Sequence, residues 1–365
     1  MGLTIHRNSP TARTDTHTGT RGSSGGSSIQ NETIKAALEP IIDEESLEKL
    51  HWINDKDPEV LNYDPKVHSG IVNLQRINDI QRINKFFEGL NDHLPIGSYN
   101  VICLETKNQR KRRLLNRYPR IVSYPWYLGD FLVKRVLPKC QSTKRAYFWL
   151  TKGRNRVISL TEAMGRLVSC GFEIIDYKRV DGLTYIISRK RGAPVYDMSP
   201  TYGPLVKLTR IGYKQNRIAV YKIRTMHPYA EYIQEFLYER HSTDNGDKII
   251  NDFRITSWGK WFRKLWIDEL PMLYNYLKQE LKIVGVRPLS AHKFSTYPED
   301  LQKKRTETKP GLVPPFYADL PETVEEFHAS EEKYLNAYQE KPIRTDIRYF
   351  FKALYNIFIK GARSK

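Results

Sequence analysis

A proline at position 271 interrupts an aromatic and basic segment, Arg254–Pro288, that otherwise has helical spacing. Proline has no amide hydrogen to donate, and its ring clashes with the carbonyl four residues earlier, that of Ile267, which excludes an undisturbed helix. The helix is therefore predicted to kink or restart, with Asp268 and Glu269 near a helix N-terminus. Because a carboxylate is favoured there by roughly 0.3–1 kcal/mol, Asp268 is expected to be ionised at neutral pH.

The large apolar residues of this segment recur mostly at spacings of three and four, which predicts one buried helical face. They are Trp258, Trp261, Phe262, Leu265, Trp266, Leu270, Leu273, Tyr274 and Leu277. Lys260, Lys264 and Asp268 fall at i, i+4 and i+8, on the opposite, polar face. Taken alone, the acid pair is better explained as a solvated helix start before a proline. The neighbouring tryptophans and basic residues favour a functional site instead.

Several short blocks follow one another in a fixed order from about Gly203 onward. These are Arg210–Gly212, Tyr221–Met226 (YKIRTM), Asp252–Thr256, Trp258–Lys264, Ile267–Pro271 (IDELP) with Asn275, Leu277–Lys278, Val284–Pro288 and Lys309–Gly311. In their order and spacing, the C-terminal half resembles the bacterial sugar transferases, the monotopic phosphoglycosyl transferases that load a sugar phosphate onto a polyprenol phosphate.

The resemblance implies a role for each matching residue. Asp268 matches the first acid of the family's pair, the covalent nucleophile, and Glu269 matches the second, which helps to hold Mg²⁺ against the diphosphate. The positions implied to bind phosphate or nucleotide are Lys222, Arg224, Arg254, Arg263, Lys264, Arg287 and Pro288. Val286 stands where the family usually has the first proline of a Pro-Arg-Pro turn.

The implied reaction transfers a sugar 1-phosphate from a nucleoside diphosphate sugar, such as a UDP-sugar, to a polyprenol phosphate such as undecaprenyl phosphate. It proceeds through an aspartyl-phosphate-sugar intermediate and starts the assembly of a bacterial glycan of the exopolysaccharide or O-antigen kind. A metal that cancels part of the diphosphate charge makes attack by a carboxylate feasible. Arginine and lysine stabilise the charge that moves to the leaving nucleotide.

The expected membrane element of the family is missing from the sequence. The corresponding stretch, Arg191–Leu208, has no apolar run of helical length, and no stretch of the chain predicts a transmembrane helix. An N-terminal signal peptide is not expected either. The segment Leu312–Phe316 also lacks the family's usual Ile-Thr-Gly-Trp pattern, a change that bears on nucleotide or acceptor specificity.

The C-terminal run Ile343–Lys365 predicts a basic amphipathic helix, which is typical of a membrane interface. Its apolar stripe is Ile347, Phe350, Phe351, Leu354, Ile357 and Phe358. The same pattern is equally typical of a terminal helix that packs on its own domain. The predicted location is the bacterial cytoplasm, peripheral on the inner face of the cytoplasmic membrane.

The net charge of +18 favours anionic partners: nucleotides, an anionic membrane surface or nucleic acid. No zinc-finger spacing or aromatic RNA-binding signature is present, so nucleic acid is not expected as a partner. The three cysteines, Cys103, Cys140 and Cys170, are far apart and predict neither a disulfide framework nor a zinc site.

The predicted organisation is a disordered tail over 1–28, an accessory domain over 29–190, a linker over 191–204 and a catalytic domain over 205–365. In the accessory domain, helical patterns near Ile34–Leu50 and Leu74–Leu90 alternate with strands such as Tyr99–Leu104, and Thr161 is expected to cap a later helix. The predicted fold is an α/β Rossmann-like domain followed by an α+β phosphoglycosyl-transferase-like domain with amphipathic helices.

Two other functions fit parts of the sequence. The first is a non-catalytic relative that keeps the fold as a scaffold or regulator in a polysaccharide or secretion machinery, which the missing membrane helix and Val286 favour. The second is methyl transfer by the N-terminal half, which faintly resembles a degenerate methyltransferase-type domain. That half has no glycine-rich cofactor loop after a strand, so a docking or regulatory module fits it better.

Overall fold

A computed structural model describes residues 24–57, 63–195, 203–240, 243–244, 248–249 and 252–362. The predicted tail lies outside this part up to residue 23, and the first helix begins at Ser24, before the predicted boundary at residue 28. Half of the predicted linker, residues 196–202, also lies outside it. The fold is mixed α/β, and parallel strands occur both in a five-stranded sheet and in a two-stranded sheet.

The N-terminal half is built on a five-stranded sheet with the order β1-β2-β3-β5-β4. The strands are β1 Leu50–Ile53, β2 Gly70–Arg76, β3 Tyr99–Leu104, β4 Phe172–Val180 and β5 Leu183–Lys190. The first three are parallel, whereas β5 runs antiparallel to both β3 and β4. The assignment of this sheet to a Rossmann-like domain stays a prediction.

Helices cover both faces of this sheet, because alternate strand residues point to opposite sides. Ile71 and Ile102 pack in one apolar core with α3 and α7, while Val72 and Val101 pack in a second core with α1 and α2. The helices of this half are α1 Ser24–Leu38, α2 Glu44–Glu48, α3 Ile83–His93, α4 Lys107–Leu115, α5 Arg120–Phe131, α6 Gln141–Thr151 and α7 Leu160–Ser169.

Strand β3 has the bounds that the sequence predicts, Tyr99–Leu104. The predicted helix Leu74–Leu90 is wrong in its first part, since Leu74 lies in β2 and the helix starts only at Ile83. The predicted N-cap residue of α7, Thr161, is also wrong. The side chain of Ser159 accepts the hydrogen bond from the Glu162 amide instead.

The C-terminal half consists of short strands and many helices. Its strands are β6 Leu205–Ile211, β7 Arg217–Ile223, β8 Thr243–Asp244, β9 Lys248–Ile249, β10 Lys282–Val284 and β11 Gly311–Val313. Its helices are α8 Gln234–Arg240, α9 Ser257–Lys264, α10 Met272–Leu277, α11 Ala291–Ser295, α12 Glu299–Thr306, α13 Phe316–Asp319, α14 Val324–Glu340 and α15 Pro342–Phe358. The strands β6 and β7 form an antiparallel hairpin.

The two halves are packed closely against each other at helix α7. A Cβ on Gly165 of α7 would lie 2.1 Å from the carbonyl oxygen of Tyr229. The Arg166 guanidinium stacks over the Tyr229 ring at 4.6 Å, and Ile233 and Leu237 enter the apolar core of the N-terminal half. The chain that follows β7 is therefore fixed by the N-terminal sheet layer.

Within the described part of the chain, no helix has the length and apolar content needed to cross a membrane.

The contact between the two halves predicts that a glycine-to-alanine substitution has opposite effects on stability at Gly129 and at Gly165. Gly129 in α5 has open space where a Cβ would stand, so Gly129→Ala is expected to stabilise the fold by up to about 1 kcal/mol through helix propensity. Gly165→Ala gains the same propensity but forces backbone atoms apart, so it is expected to destabilise by about 1–3 kcal/mol. Urea denaturation of both variants measures this, and a stabilised Gly165→Ala protein would contradict the close contact.

Candidate active site

The chain restarts its helix around the acid pair, which confirms the effect predicted for Pro271. Helix α9 ends at Lys264, a 3₁₀ turn covers Ile267–Glu269, and α10 begins at Met272 with Pro271 as its N-cap residue. The two acids are thus on a short turn of their own between two helices.

Trp266 starts this turn in the left-handed region, with φ of 55°. A bulky residue seldom adopts that conformation, and it persists only where its surroundings hold it. Its indole Nε1 donates a hydrogen bond of 2.9 Å to the hydroxyl of Tyr317, and the two rings meet edge to face. Packing of Trp266 therefore fixes the direction in which Asp268 and Glu269 leave helix α9.

Asn275 ties α10 to the neighbouring strand β7. Its buried side chain accepts a hydrogen bond of 3.1 Å from the Tyr221 amide and donates to the Ala219 carbonyl at 2.6 Å. A second hydrogen bond from the same amide group reaches Glu280 at 2.6 Å. These contacts place the acid pair beside Lys222, the residue that follows Tyr221.

The start of α9 is held against the end of β7 in a similar way. The Thr256 side chain caps α9 by accepting from the Gly259 amide at 3.0 Å, and it donates to the Thr225 carbonyl at 2.9 Å. A Cβ on Gly259 would lie 2.2 Å from that carbonyl oxygen, so only glycine fits there. The Thr225 hydroxyl accepts from Arg263 Nε at 2.8 Å, which turns this guanidinium toward the acid pair.

A cleft of about 260 Å³ opens beside the turn. Four basic residues and one acid line it: Arg210, Lys222, Arg287, Lys293 and Glu269. The other lining residues include Pro288, Ser290, Leu312, Phe316 and Tyr317. Because cations outnumber carboxylates, the cleft suits a ligand with several negative charges.

Glu269 is the centre of the charged contacts in this cleft. Its Oε1 lies 2.6 Å from Lys222 Nζ and 3.6 Å from Arg287 Nη2. Burial lowers the pKa of Lys222, and the nearby Arg287 lowers it further, while the contact with Glu269 raises it. The acid, the lysine and the arginine come from three separate blocks of the sequence, and the fold brings them together.

Asp268 is only 8% exposed and is not among the side chains that line the cleft. Burial raises the pKa of its carboxyl group, and the charge of Glu269 raises it further, whereas Lys222 and Arg263 lower it. Burial and the helix N-terminus thus act on this pKa in opposite directions. The ionisation of Asp268 at neutral pH stays a prediction.

Residues 195–360 match the family described as bacterial sugar transferase. The C-terminal region is therefore similar to that family. The match confirms the resemblance that the sequence blocks indicate. It includes the turn of the acid pair, the anchoring residues Asn275 and Thr256, and every residue of the cleft.

Individual relatives are similar over the same region. The chain is 32% identical over 161 residues to the galactosyl transferase CpsE of Streptococcus agalactiae, across 43% of this chain and 32% of that protein. It is 35% identical over 128 residues to an uncharacterized sugar transferase, EpsL, of Bacillus subtilis, across 35% of this chain and 52% of that protein. Over 136 residues it is 30% identical to the undecaprenyl-phosphate galactose phosphotransferase of Salmonella typhimurium, across 36% of this chain and 26% of that protein. The chain thus spans between a quarter and a half of the length of these relatives.

Four of the predicted phosphate-binding residues lie outside the cleft lining. Arg254 is held by Asp252 through hydrogen bonds of 2.8 to 3.0 Å. Arg224 donates to the Gly203 carbonyl at 2.9 Å, and Lys264 is exposed, with its ammonium over the Trp261 ring. Arg263 is also absent from the lining, yet its charge acts on Asp268.

Sequence reasoning missed Arg210 and Lys293 as candidate ligands of the cleft. Arg210 stands in the first block of the resemblance, so that block was a signal that could have identified it. Lys293 lies in α11, just after the arginine-proline turn, and only the packing of α11 against β6 brings it near the cleft. No pattern in the local sequence marks it.

The predicted burial of the aromatic face of α9 and α10 is wrong. Trp266 is partly buried against the C-terminal core and Phe262 is half-buried, but most of the other residues of that face are exposed. The exposed ones are Trp258, Trp261, Leu265, Leu270, Leu273, Tyr274 and Leu277. Because the helix breaks at Trp266, its two parts cannot present one continuous stripe to a single core.

The structure confirms that the C-terminal helix, α15, packs on its own domain, while its role at a membrane interface stays a prediction. It packs on its own domain through Tyr349, Ala353 and Asn356. An outer stripe, Ile343, Ile347, Phe351, Tyr355 and Phe358, remains exposed.

The charges around Asp268 predict opposite shifts of its titration in two variants. Glu269→Gln removes a raising charge and is expected to lower the pKa of Asp268. Lys222→Met removes a lowering charge and is expected to raise it. Carbon-13 NMR of labelled aspartate measures both shifts, with Asp268→Asn identifying the signal. Shifts in the same direction would contradict the arrangement of charges described here.

Proposed function

We propose that this protein is a phosphoglycosyl transferase, which moves a sugar 1-phosphate from a nucleoside diphosphate sugar to a polyprenol phosphate. The observation that carries the proposal is the acid pair beside a cleft with four basic residues, inside the region that matches the family. The names of two relatives support it: an undecaprenyl-phosphate galactose phosphotransferase and a UDP-glucose:undecaprenyl-phosphate glucose-1-phosphate transferase.

In the first step, a carboxylate oxygen of Asp268 attacks the β-phosphorus of the donor. The bond from that phosphorus to the bridging oxygen breaks, and nucleoside monophosphate leaves with this oxygen. In the second step, an oxygen of the polyprenol phosphate attacks the same phosphorus, which frees the Asp268 carboxylate and yields a polyprenol diphosphate sugar. Two displacements thereby replace one encounter between two anionic substrates.

The basic residues of the cleft carry the electrostatic part of this reaction. Lys222 and Arg287 lie beside Glu269, and Arg210 and Lys293 complete the lining. A diphosphate in this cleft would be bound by charge-assisted hydrogen bonds, which are about twice as strong as neutral ones. Because Asp268 is almost buried in the free protein, its side chain or the turn must move when the donor binds.

Mg²⁺ is the cofactor that this chemistry implies. Among the described residues, no group of three or more histidine, cysteine, aspartate or glutamate side chains could hold a metal. The adjacent carboxylates still fit Mg²⁺, since this ion usually takes one or two carboxylates and completes its shell with water and substrate phosphates. Glu269 lines the cleft and would be its protein ligand. The ion would neutralise part of the diphosphate charge.

A lipid acceptor requires access to a membrane, and the exposed apolar residues of α9, α10 and α15 support such access. Exposed tryptophans and leucines over two adjacent helices suit the interfacial layer of a bilayer rather than water. We infer peripheral attachment to the cytoplasmic face of a bacterial cytoplasmic membrane, where anionic lipids would attract a chain with a net charge of +18. The product would serve as the starting unit of a surface glycan.

Replacing the proposed nucleophile tests this function. Asp268→Asn keeps the shape of the side chain but removes its charge, so release of nucleoside monophosphate from a UDP-sugar is expected to fall by at least about 10³-fold. Asp300→Asn, an exposed aspartate of α12, is the matched control and should keep full activity. Equal turnover of both variants would overturn the enzyme proposal, and an inactive wild-type protein that still binds donor would favour the scaffold role.

A further inference from the structure

The N-terminal half contains a helical excursion between strand β3 and helix α7 that the proposed reaction does not use. It consists of α4, α5 and α6 with their connections. From Lys107 to Lys152 the sequence has thirteen lysines and arginines and a single acidic residue, Asp130. This one segment accounts for most of the excess of positive charge in the chain.

Helix α5 within this excursion presents large apolar side chains to the surface. We call Ile121, Val122, Tyr124, Trp126 and Leu128 the α5 arc. All five are exposed, and Ile121 is 89%, Trp126 61% and Leu128 57% accessible. The exposed apolar surface continues through Leu132 and Val133, the first residues of the following π-helical turn. A surface helix of a soluble domain normally has charged residues on that side.

The inner side of α5 is anchored, so the arc belongs to a fixed helix. Asp130 receives two hydrogen bonds of 2.7 Å from Arg110 of α4. Just after α5, Arg135 is buried and lies 2.6 Å from Glu162 of α7. Ser123 is the one residue of α5 that is fully buried. The body of the domain thus holds α5 at its C-terminal end and at the buried Ser123, and it leaves the arc on the outside.

Exposed basic residues precede the arc in the sequence. They are Arg112 of α4, Arg117, and Arg120 at the start of α5, and α6 contributes the exposed pair Lys144 and Arg145 elsewhere in the excursion. An apolar surface beside so many cations disfavours a second copy of this chain, since two such surfaces would repel each other. It also disfavours nucleic acid, which pairs with cations but offers nothing to isoleucine and leucine side chains. A bilayer with anionic headgroups satisfies both parts.

We propose that the α5 arc is a membrane-binding surface that inserts between the headgroups of an anionic bilayer. Trp126 and Tyr124 would lie at the headgroup level, Ile121 and Leu128 would enter the acyl boundary, and the arginines would pair with lipid phosphates. The N-terminal half would then hold the sugar transferase region at the membrane through the contact between α7 and Tyr229. This surface lies outside residues 195–360 and does not depend on the proposed catalytic step.

The test compares vesicle binding of full-length variants. Vesicles contain phosphatidylglycerol and phosphatidylcholine in equal parts, or phosphatidylcholine alone, and sedimentation gives the partition coefficient. The wild-type protein should prefer the anionic vesicles and lose affinity as salt is added. The double variant Ile121→Gln with Leu128→Gln should bind about tenfold more weakly. Ile96→Gln, at a 75% exposed isoleucine in the turn before β3, is the matched control and should bind like the wild type.

Equal binding of the double variant and the Ile96→Gln control would overturn the proposal, with circular dichroism confirming that both are folded. Two other results would also overturn it. In the first, the double variant binds vesicles normally but loses binding to duplex DNA. In the second, it binds vesicles normally but has a changed oligomeric mass in solution. Asp268→Asn should bind vesicles normally, so failure of the catalytic proposal and failure of the membrane surface are separable.

Discussion

The ion pair between Lys222 and Glu269 joins the two parts of the chain on which the site depends. The lysine comes from strand β7 and the glutamate from the 3₁₀ turn, and their charged atoms are 2.6 Å apart. The pair forms because Asn275 fixes α10 to β7 and Trp266 directs the turn away from α9. Glu269 in turn offsets the repulsion among the cations that line the cleft, while its own charge raises the pKa of Asp268. An incoming diphosphate would meet these cations at one end of a preorganised cleft.

Local rules predicted much of the framework of this site. The restart at Pro271 follows from one missing amide hydrogen, and strand β3 follows from its apolar residues and flanking turns. The order of short motifs also identified the region that the family match confirms. Each of these features depends only on a few neighbouring residues or on the spacing of short motifs, so the sequence alone reveals it.

Features that depend on tertiary packing could not be predicted in the same way. Helical spacing marks a face as apolar but does not say what covers it, so exposed residues such as Trp261 and Leu277 were expected to be buried. The pKa of Asp268 depends on burial, which a motif does not reveal. Lys293 reaches the cleft only because α11 packs near β6, and Leu74 lies in a strand because β2 pairs with β1 and β3.

Both halves of the protein expose large apolar side chains. The sugar transferase region leaves parts of α9, α10 and α15 uncovered, and the N-terminal half leaves the α5 arc uncovered beside its densest positive charge. The tight contact of Gly165 with Tyr229 holds these halves together. A reaction on a lipid-linked phosphate gives a physical reason for apolar surfaces that water alone would disfavour.

The proposed reaction requires a covalent bond between Asp268 and the transferred phosphate. This bond can be detected by mass measurement of the intact protein after mixing with a UDP-sugar and Mg²⁺ in the absence of acceptor. The expected result is a mass increase of one sugar phosphate, located after digestion on the peptide that contains Asp268 and lost when polyprenol phosphate is added. An unmodified protein that nevertheless transfers sugar phosphate to the acceptor would contradict it.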